Sequence, residues 1–180
     1  MKQVLNGLRM LQSTVMLVCS VGAVAAGADT IPAEIKAPAG EKLVLKAHAT
    51  GSQIYTCKAA PADGTYQWTL KAPDAQLLDK KGAVIGRHYA GPTWKYKDGS
   101  EITGKASAHV DSPDPSSIPW LLVAVTGHTG EGTFAKVSSV QRINTQGGKP
   151  PSEPCSAAAA GTESSSSYSA DYLFYAPSAR

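Results

Sequence analysis

The 180-residue sequence predicts one all-β domain, an antiparallel β-sandwich or barrel held by one disulfide. Three observations carry that expectation. Apolar and polar residues alternate at period two along several segments, as strands with one buried face require. Gly, Asp and Pro punctuate those segments at short intervals, as turns do. No window of useful length repeats apolar residues at the 3.6-residue spacing of an amphipathic helix. Composition agrees: 42% hydrophobic and 17% charged residues are too apolar for a disordered chain, and 180 residues are too few for two ordinary domains. The 17 Gly and 12 Pro follow no triplet period, which excludes a collagen-like chain.

The first 28 residues read as an address. Lys2 and Arg9 precede the apolar stretch Val15-Met16-Leu17-Val18-Cys19, which runs on to Val24-Ala25-Ala26, and Ala26-Gly27-Ala28 is a small-x-small triplet. A basic start, a short apolar run and such a triplet describe a secretory signal peptide, residues 1–28. The run is shorter than the roughly 20 residues of a membrane helix. Cleavage after Ala28 leaves 152 residues, 29–180, as a single β-rich domain, and loss of Lys2 and Arg9 takes the net charge from +3 to +1. So small a charge makes no electrostatic case for nucleic acid or an anionic membrane. The product is expected to be secreted or periplasmic, with no membrane association after cleavage.

Three cysteines become two, Cys57 and Cys155, when Cys19 leaves with the leader. An even pair in an oxidising compartment is most simply a disulfide. No C-x-x-C spacing supports a redox or zinc site.

The elements follow in order. Leu43, Leu45, Ala47 and Ala49 alternate with Val44, Lys46, His48 and Thr50 in a first strand, which Gly51-Ser52 is expected to break. Gln53 to Cys57 then forms its hairpin partner, and Pro61-Ala62-Asp63-Gly64 a turn. Tyr66, Trp68 and Leu70 alternate again, with Trp68 and Trp120 read as core. Leu77 to Gly86 and Trp94 to Gly104 each read as strand, Asp/Gly turn, strand; Asp98-Gly99 is the stronger hairpin signal. The second hairpin continues through Ala106, Ala108 and Val110. Trp120 to Val125 is a continuous apolar run, suited to a strand buried on both faces, and Phe134 to Ile143 returns as a strand. Asn144 to Pro154 is a Gly/Pro-rich crossing, residues 161–167 are a Ser-rich flexible segment, and Tyr168, Tyr172 and Phe174 suggest a last strand.

The order of motifs resembles a known family. Gln53-x-Tyr55-x-Cys57, Trp68, Gly86-x-His88-x-x-Gly91-Pro92-Thr93-Trp94, Asp98-Gly99-Ser100, Ile118-Pro119-Trp120-Leu121-Leu122, Val140-Gln141-Arg142-Ile143-Asn144-Thr145-x-Gly147-Gly148, Cys155 and Tyr168-x-Ala170-Asp171-Tyr172 follow one another. The string is similar to the exported family catalogued as domain of unknown function 3455, of bacteria and filamentous fungi, over about residues 31–175. The resemblance implies no established activity. Some fungal relatives carry the label malate dehydrogenase, which these residues argue against. Such an enzyme needs a Gly-rich turn between strand and helix, whereas Gly127-x-x-Gly130-x-Gly132 has other spacing and lies between two strand patterns.

Among the histidines, His48 and His109 fall opposite the apolar parity and His128 at a strand end, so exposure is expected for all three. His88 sits between Gly86 and Gly91-Pro92, in a stretch whose glycine and proline fix loop shape. Two readings stand side by side. In one, His88 is a general base or metal ligand oriented by Asp98 or Asp111. In the other, its ring bonds the backbone and holds the Gly91-Pro92 turn. No H-x-H or H-x-x-x-H pair suggests a metal site, and no nucleophilic-serine motif or cofactor fingerprint appears. Trp94 and Tyr96 share a strand face with Tyr89 nearby; exposed, such a row stacks on sugar rings, and otherwise it fills the core. Arg87, Lys95 and Lys97 flank the turn and can take an anion, although solvated strand faces are the usual place of lysines.

A ligand-binding or structural module is therefore expected, with an unknown small molecule, glycan or protein as partner and no nucleic acid. A His88-centred hydrolase or metal-dependent enzyme is the alternative. Under either, the site is expected at His88, Tyr89, Gly91, Pro92, Trp94, Tyr96 and Asp98.

Overall fold

The structure, a computed structural model, describes residues 31–61 and 64–179. The leader expected over 1–28 lies outside the described residues. Eight strands follow one another: β1 Glu41–Ala59, β2 Tyr66–Leu78, β3 Val84–Tyr89, β4 Thr93–Tyr96, β5 Glu101–Val110, β6 Trp120–Thr129, β7 Ser139–Gly147 and β8 Glu163–Pro177. Each pairs antiparallel with its sequence neighbours, and β8 pairs with β1 from Glu41↔Pro177 to Thr56↔Glu163. The sheet thus closes on itself. Of the two architectures open in the sequence, this is the barrel.

Closure follows from the length of β1. Gly51-Ser52 does not break the strand; the chain runs extended through it for 19 residues. Gly51 faces Ala75 on β2, and a Cβ there would stand 2.2 Å from the Asp74 carbonyl oxygen and 2.5 Å from the Ala75 Cα. The glycine permits close strand approach rather than a turn. The serines at 164–167 likewise belong to β8, paired with Ser52 to Tyr55. Serine is a poor strand former in isolation, but a continuous partner strand satisfies its backbone groups.

A barrel of eight strands is narrow enough for side chains to fill. One inward row crosses four strands, Ala75, His88, Trp94 and Ile102, each opposite the next. The facing wall carries Val123, Val140, Tyr172 and Phe174, all in the same buried cluster. Small alanines at 47, 49, 75 and 170 leave room for the large rings opposite.

One end is plugged by the β6–β7 connection, where the sequence suggested strand. Phe134 and Val137 are fully buried there, and Phe134 stacks on Phe174 at 4.6 Å. Outside the barrel, a single 3-10 turn at Ala33–Ile35 lays Ile35 against Trp120, Ile143 and Leu173. The β6 run therefore meets apolar partners on both faces, although of the run expected to be buried throughout only Trp120 and Val123 are fully so and Ala124 is exposed. Trp68 is the exception to the expected core: half-exposed, it donates its indole N–H to the Glu153 carbonyl at 2.8 Å. Beside it, Cys57 and Cys155 form the disulfide, which ties the β7–β8 connection to β1.

Candidate functional site

The short β3–β4 hairpin gathers most of the residues that drew attention in the sequence. Ala90-Gly91-Pro92 connects the strands, and Gly91 takes φ +106°, a conformation that favours glycine. The loop is pinned from three sides. Thr93 Oγ1 donates to the Ala90 carbonyl at 2.8 Å, Gly104 N–H donates to the Pro92 carbonyl at 3.1 Å, and His88 Nδ1 lies 2.8 Å from the Thr93 carbonyl oxygen. With a carbonyl as partner, Nδ1 carries the proton.

His88 is inside the barrel. Its ring stacks on Trp94 at 4.4 Å and 7°, and meets the edge of Tyr172 at 5.1 Å. Burial disfavours the imidazolium and brings its pKa down to about 3; the Thr93 carbonyl opposes that shift, and the charge of Arg142 reinforces it. The ring is neutral at physiological pH.

Asp98 does not meet His88. It stands at the plugged end of the barrel, in the β4–β5 turn. One carboxylate oxygen accepts from Ser100 N–H and Oγ, the other from Thr133 N–H and Oγ1. Ser100 Oγ then accepts from Phe134 N–H at 3.0 Å. Asp98 is the clasp that seats the Phe134 plug. These four donors hold its carboxyl well below the ordinary carboxylate range.

The aromatic row divides. Alternation sends Trp94 inward, where it is 1% exposed, so Trp94 and Tyr96 do not form an open stacking platform. Tyr96 is half-buried against Phe134, and Tyr89 lies on the outer wall, donating its hydroxyl to Glu101. That bond raises the Tyr89 pKa.

On this outer wall lies a cleft of about 540 Å³, with Gly86, Arg87, Tyr89, Lys95, Tyr96, Lys97 and Gly99 around it. A side chain at 86 would collide with the Lys95 carbonyl 2.4 Å away, which keeps the floor low. Arg87 pairs with Asp74 at 3.0 Å, and Lys95 stands 4.0 Å from Glu101. Lys97 has no carboxylate within ion-pair distance among the described residues; its ammonium hovers 5.9 Å from the centre of the Tyr96 ring. Three cations around phenol rings make a surface suited to an anion that also carries a ring.

Some residues went unremarked as site candidates in the sequence. Arg142, Gln53, Tyr168 and Tyr172 read only as parts of strands. What faces them across the barrel has no local signal in the sequence. His48 and His109 are exposed, as alternation implied. Exposed His128 places Nε2 2.7 Å from the Val137 carbonyl oxygen at the plug.

Fold and site together define a closed eight-stranded antiparallel barrel with an aromatic, partly polar interior and a basic cleft on its outer wall. Gly127 lies within β6, paired with Thr103, and Gly130 and Gly132 in the connection from β6 to the antiparallel β7, not in a strand–helix unit. The chain belongs to the family described as protein of unknown function (DUF3455), whose model matches residues 38–176. No curated protein and no solved structure matches it.

Proposed function

We propose that the protein is an exported binding module, and that its β3–β4 cleft takes an acidic glycan. The observation that supports this is the cleft itself: Arg87, Lys95 and Lys97 converge on a hollow of about 540 Å³ that Tyr89 and Tyr96 also line. Cations take the carboxylate of a uronate sugar, and phenol rings take the apolar face of the pyranose. Rigidity favours the reading, because the strands and their pinned loop hold the side chains before the ligand arrives. An exported setting is consistent with the disulfide, and no helix among the described residues is long and apolar enough to cross a membrane.

His88 supports binding over proton transfer. Its Nδ1 is spent on a backbone carbonyl, and no carboxylate of the described residues orients it. A buried imidazole this hard to protonate is a poor general base near neutral pH.

Calorimetry with a uronate trisaccharide tests the proposal. The expected result is saturable binding that weakens at high salt and falls at least tenfold in the Lys95→Ala/Lys97→Ala double variant. Equal affinity for a neutral trisaccharide, or binding indifferent to the two lysines, refutes it.

A further inference from the structure

The wall across the barrel from the hairpin carries polar groups that the cleft does not use. Arg142 lies opposite Tyr172 on β8 and Leu121 on β6. Both belong to or pack on the interior cluster, so register turns the guanidinium into the barrel. Its Nε and Nη2 donate to the Pro119 carbonyl at 3.2 and 2.8 Å. No ion pair neutralises it among the described residues.

Five buried polar groups among the described residues have no hydrogen-bond partner; the Trp120 indole N–H belongs to the outer cluster with Ile35, and the other four are the hydroxyls of Tyr168 and Tyr172, the indole N–H of Trp94 and the amide oxygen of Gln53. All four side chains are at most 4% exposed. They are contiguous. Tyr172 meets Trp94 at 5.7 Å, and Tyr168 follows Tyr172 along one face of β8. Tyr168 and Gln53 flank the same backbone, since a Cβ on Gly148 would lie 2.8 Å from Tyr168 Cβ and 3.2 Å from Gln53 Cγ. The charge of Arg142 acts on both tyrosines, and the Tyr172 hydroxyl also stands within weak side-chain hydrogen-bond reach of Tyr168 and Arg142, so the three groups form one polar cluster with no hydrogen bond of ordinary length inside it.

A buried polar group without a partner is costly, and native proteins keep few of them. Four side by side point to a partner that is not protein. Donors dominate: three of the four can donate, the Arg142 guanidinium is the charge that acts on both tyrosines while that of Asp74 acts on Tyr168 alone, and the buried polar residues among those described include no Asp or Glu. One guanidinium balances one negative charge. We propose that the barrel interior beside Arg142 binds a small carboxylate anion, held by Arg142, the Tyr168 and Tyr172 hydroxyls and the Trp94 indole N–H. Turning over the Gln53 carboxamide would add its N–H to the same ligand. The site shares no residue with the cleft, and its ligand is too small to be the glycan proposed there.

The test is calorimetric titration of the purified chain with acetate, in chloride-free buffer at fixed ionic strength. The expected result is saturable one-to-one binding that weakens at least tenfold in Arg142→Met and in Tyr172→Phe. Tyr172→Phe removes no hydrogen bond of ordinary length, only the weak approach to Tyr168 and Arg142, so the variant should fold with a Tm close to the parent's, which keeps binding separate from folding. Absence of saturable acetate uptake overturns the proposal, as does uptake that Tyr172→Phe and Tyr168→Phe both leave intact. Interior polar groups satisfied by water alone would give the first of those results.

Discussion

Stability should fall as pH drops from 7.5 to 5, and His88 sets how far. In the folded barrel its pKa is about 3, against 6.5 for an unperturbed imidazole. Between those values the unfolded chain binds a proton that the native state refuses, so protonation favours unfolding. The contribution is absent above the unfolded value, grows as pH falls through 6.5, and levels off below the folded value. Evaluated at pH 5, where the unfolded ring is almost wholly protonated, it costs about 2 kcal/mol. That figure hardly depends on the folded pKa as long as it lies below about 4.5, because the native ring is then neutral throughout the window. Two kcal/mol in a domain of this size corresponds to a Tm drop of roughly 4–8 °C. The assay is urea or thermal unfolding of the parent and His88→Gln at both pH values, with near-UV circular dichroism to confirm packing. The parent should lose about 2 kcal/mol more than the variant over this interval. Equal losses would show that the imidazole is not held neutral by burial, and the placement of His88 would be wrong.

Three further outcomes follow from the fold. Replacing Cys57 and Cys155 with serine opens a 98-residue loop and should cost about 4–5 kcal/mol by chemical denaturation, on the chain-entropy account. Phe134→Ala removes the fully buried plug ring and should cost about 3–5 kcal/mol, with faster amide exchange in β4 and β7 near that end. Asp98→Ala unfastens the same plug by freeing the Ser100 and Thr133 donors; limited proteolysis should cut first between 130 and 138, while ligand affinity at Arg142 stays as in the parent.

Much of this barrel was legible because its rules are local. Inward and outward parity read correctly in the middle of β1, where Ala47 and Ala49 are buried while His48 is exposed, but not at its start, where a register shift between Leu43 and Leu45 leaves Leu43 exposed. Both Asp/Gly hairpins were visible for the same reason, since the turn residues, Asp79 with Gly82 and Asp98 with Gly99, sit beside their own strands. What failed depended on distant partners. Gly51 reads as a breaker until β2 is seen to lie against it, and the serine run reads as flexible until β1 supplies its ladder. Phe134 alternates like a strand residue, yet a closed barrel needs something to stop its end. Asp98 looked able to serve His88 ten residues away, but its carboxylate is satisfied by Thr133, thirty-five residues on. For His88 itself, the backbone-bonding alternative describes the observed geometry: its ring meets the Thr93 carbonyl. The cleft was half legible, because Arg87, Lys95 and Lys97 alternate with buried residues, while the hollow between them depends on how the strands curve.

The most direct measurement is an amide NMR titration of the isotope-labelled protein with a uronate trisaccharide. If the cleft is the binding surface, the saturable shifts will map to residues 86–99 and disappear when Lys95 and Lys97 are removed. Shifts confined to any other face of the barrel, or none at all, would contradict the account.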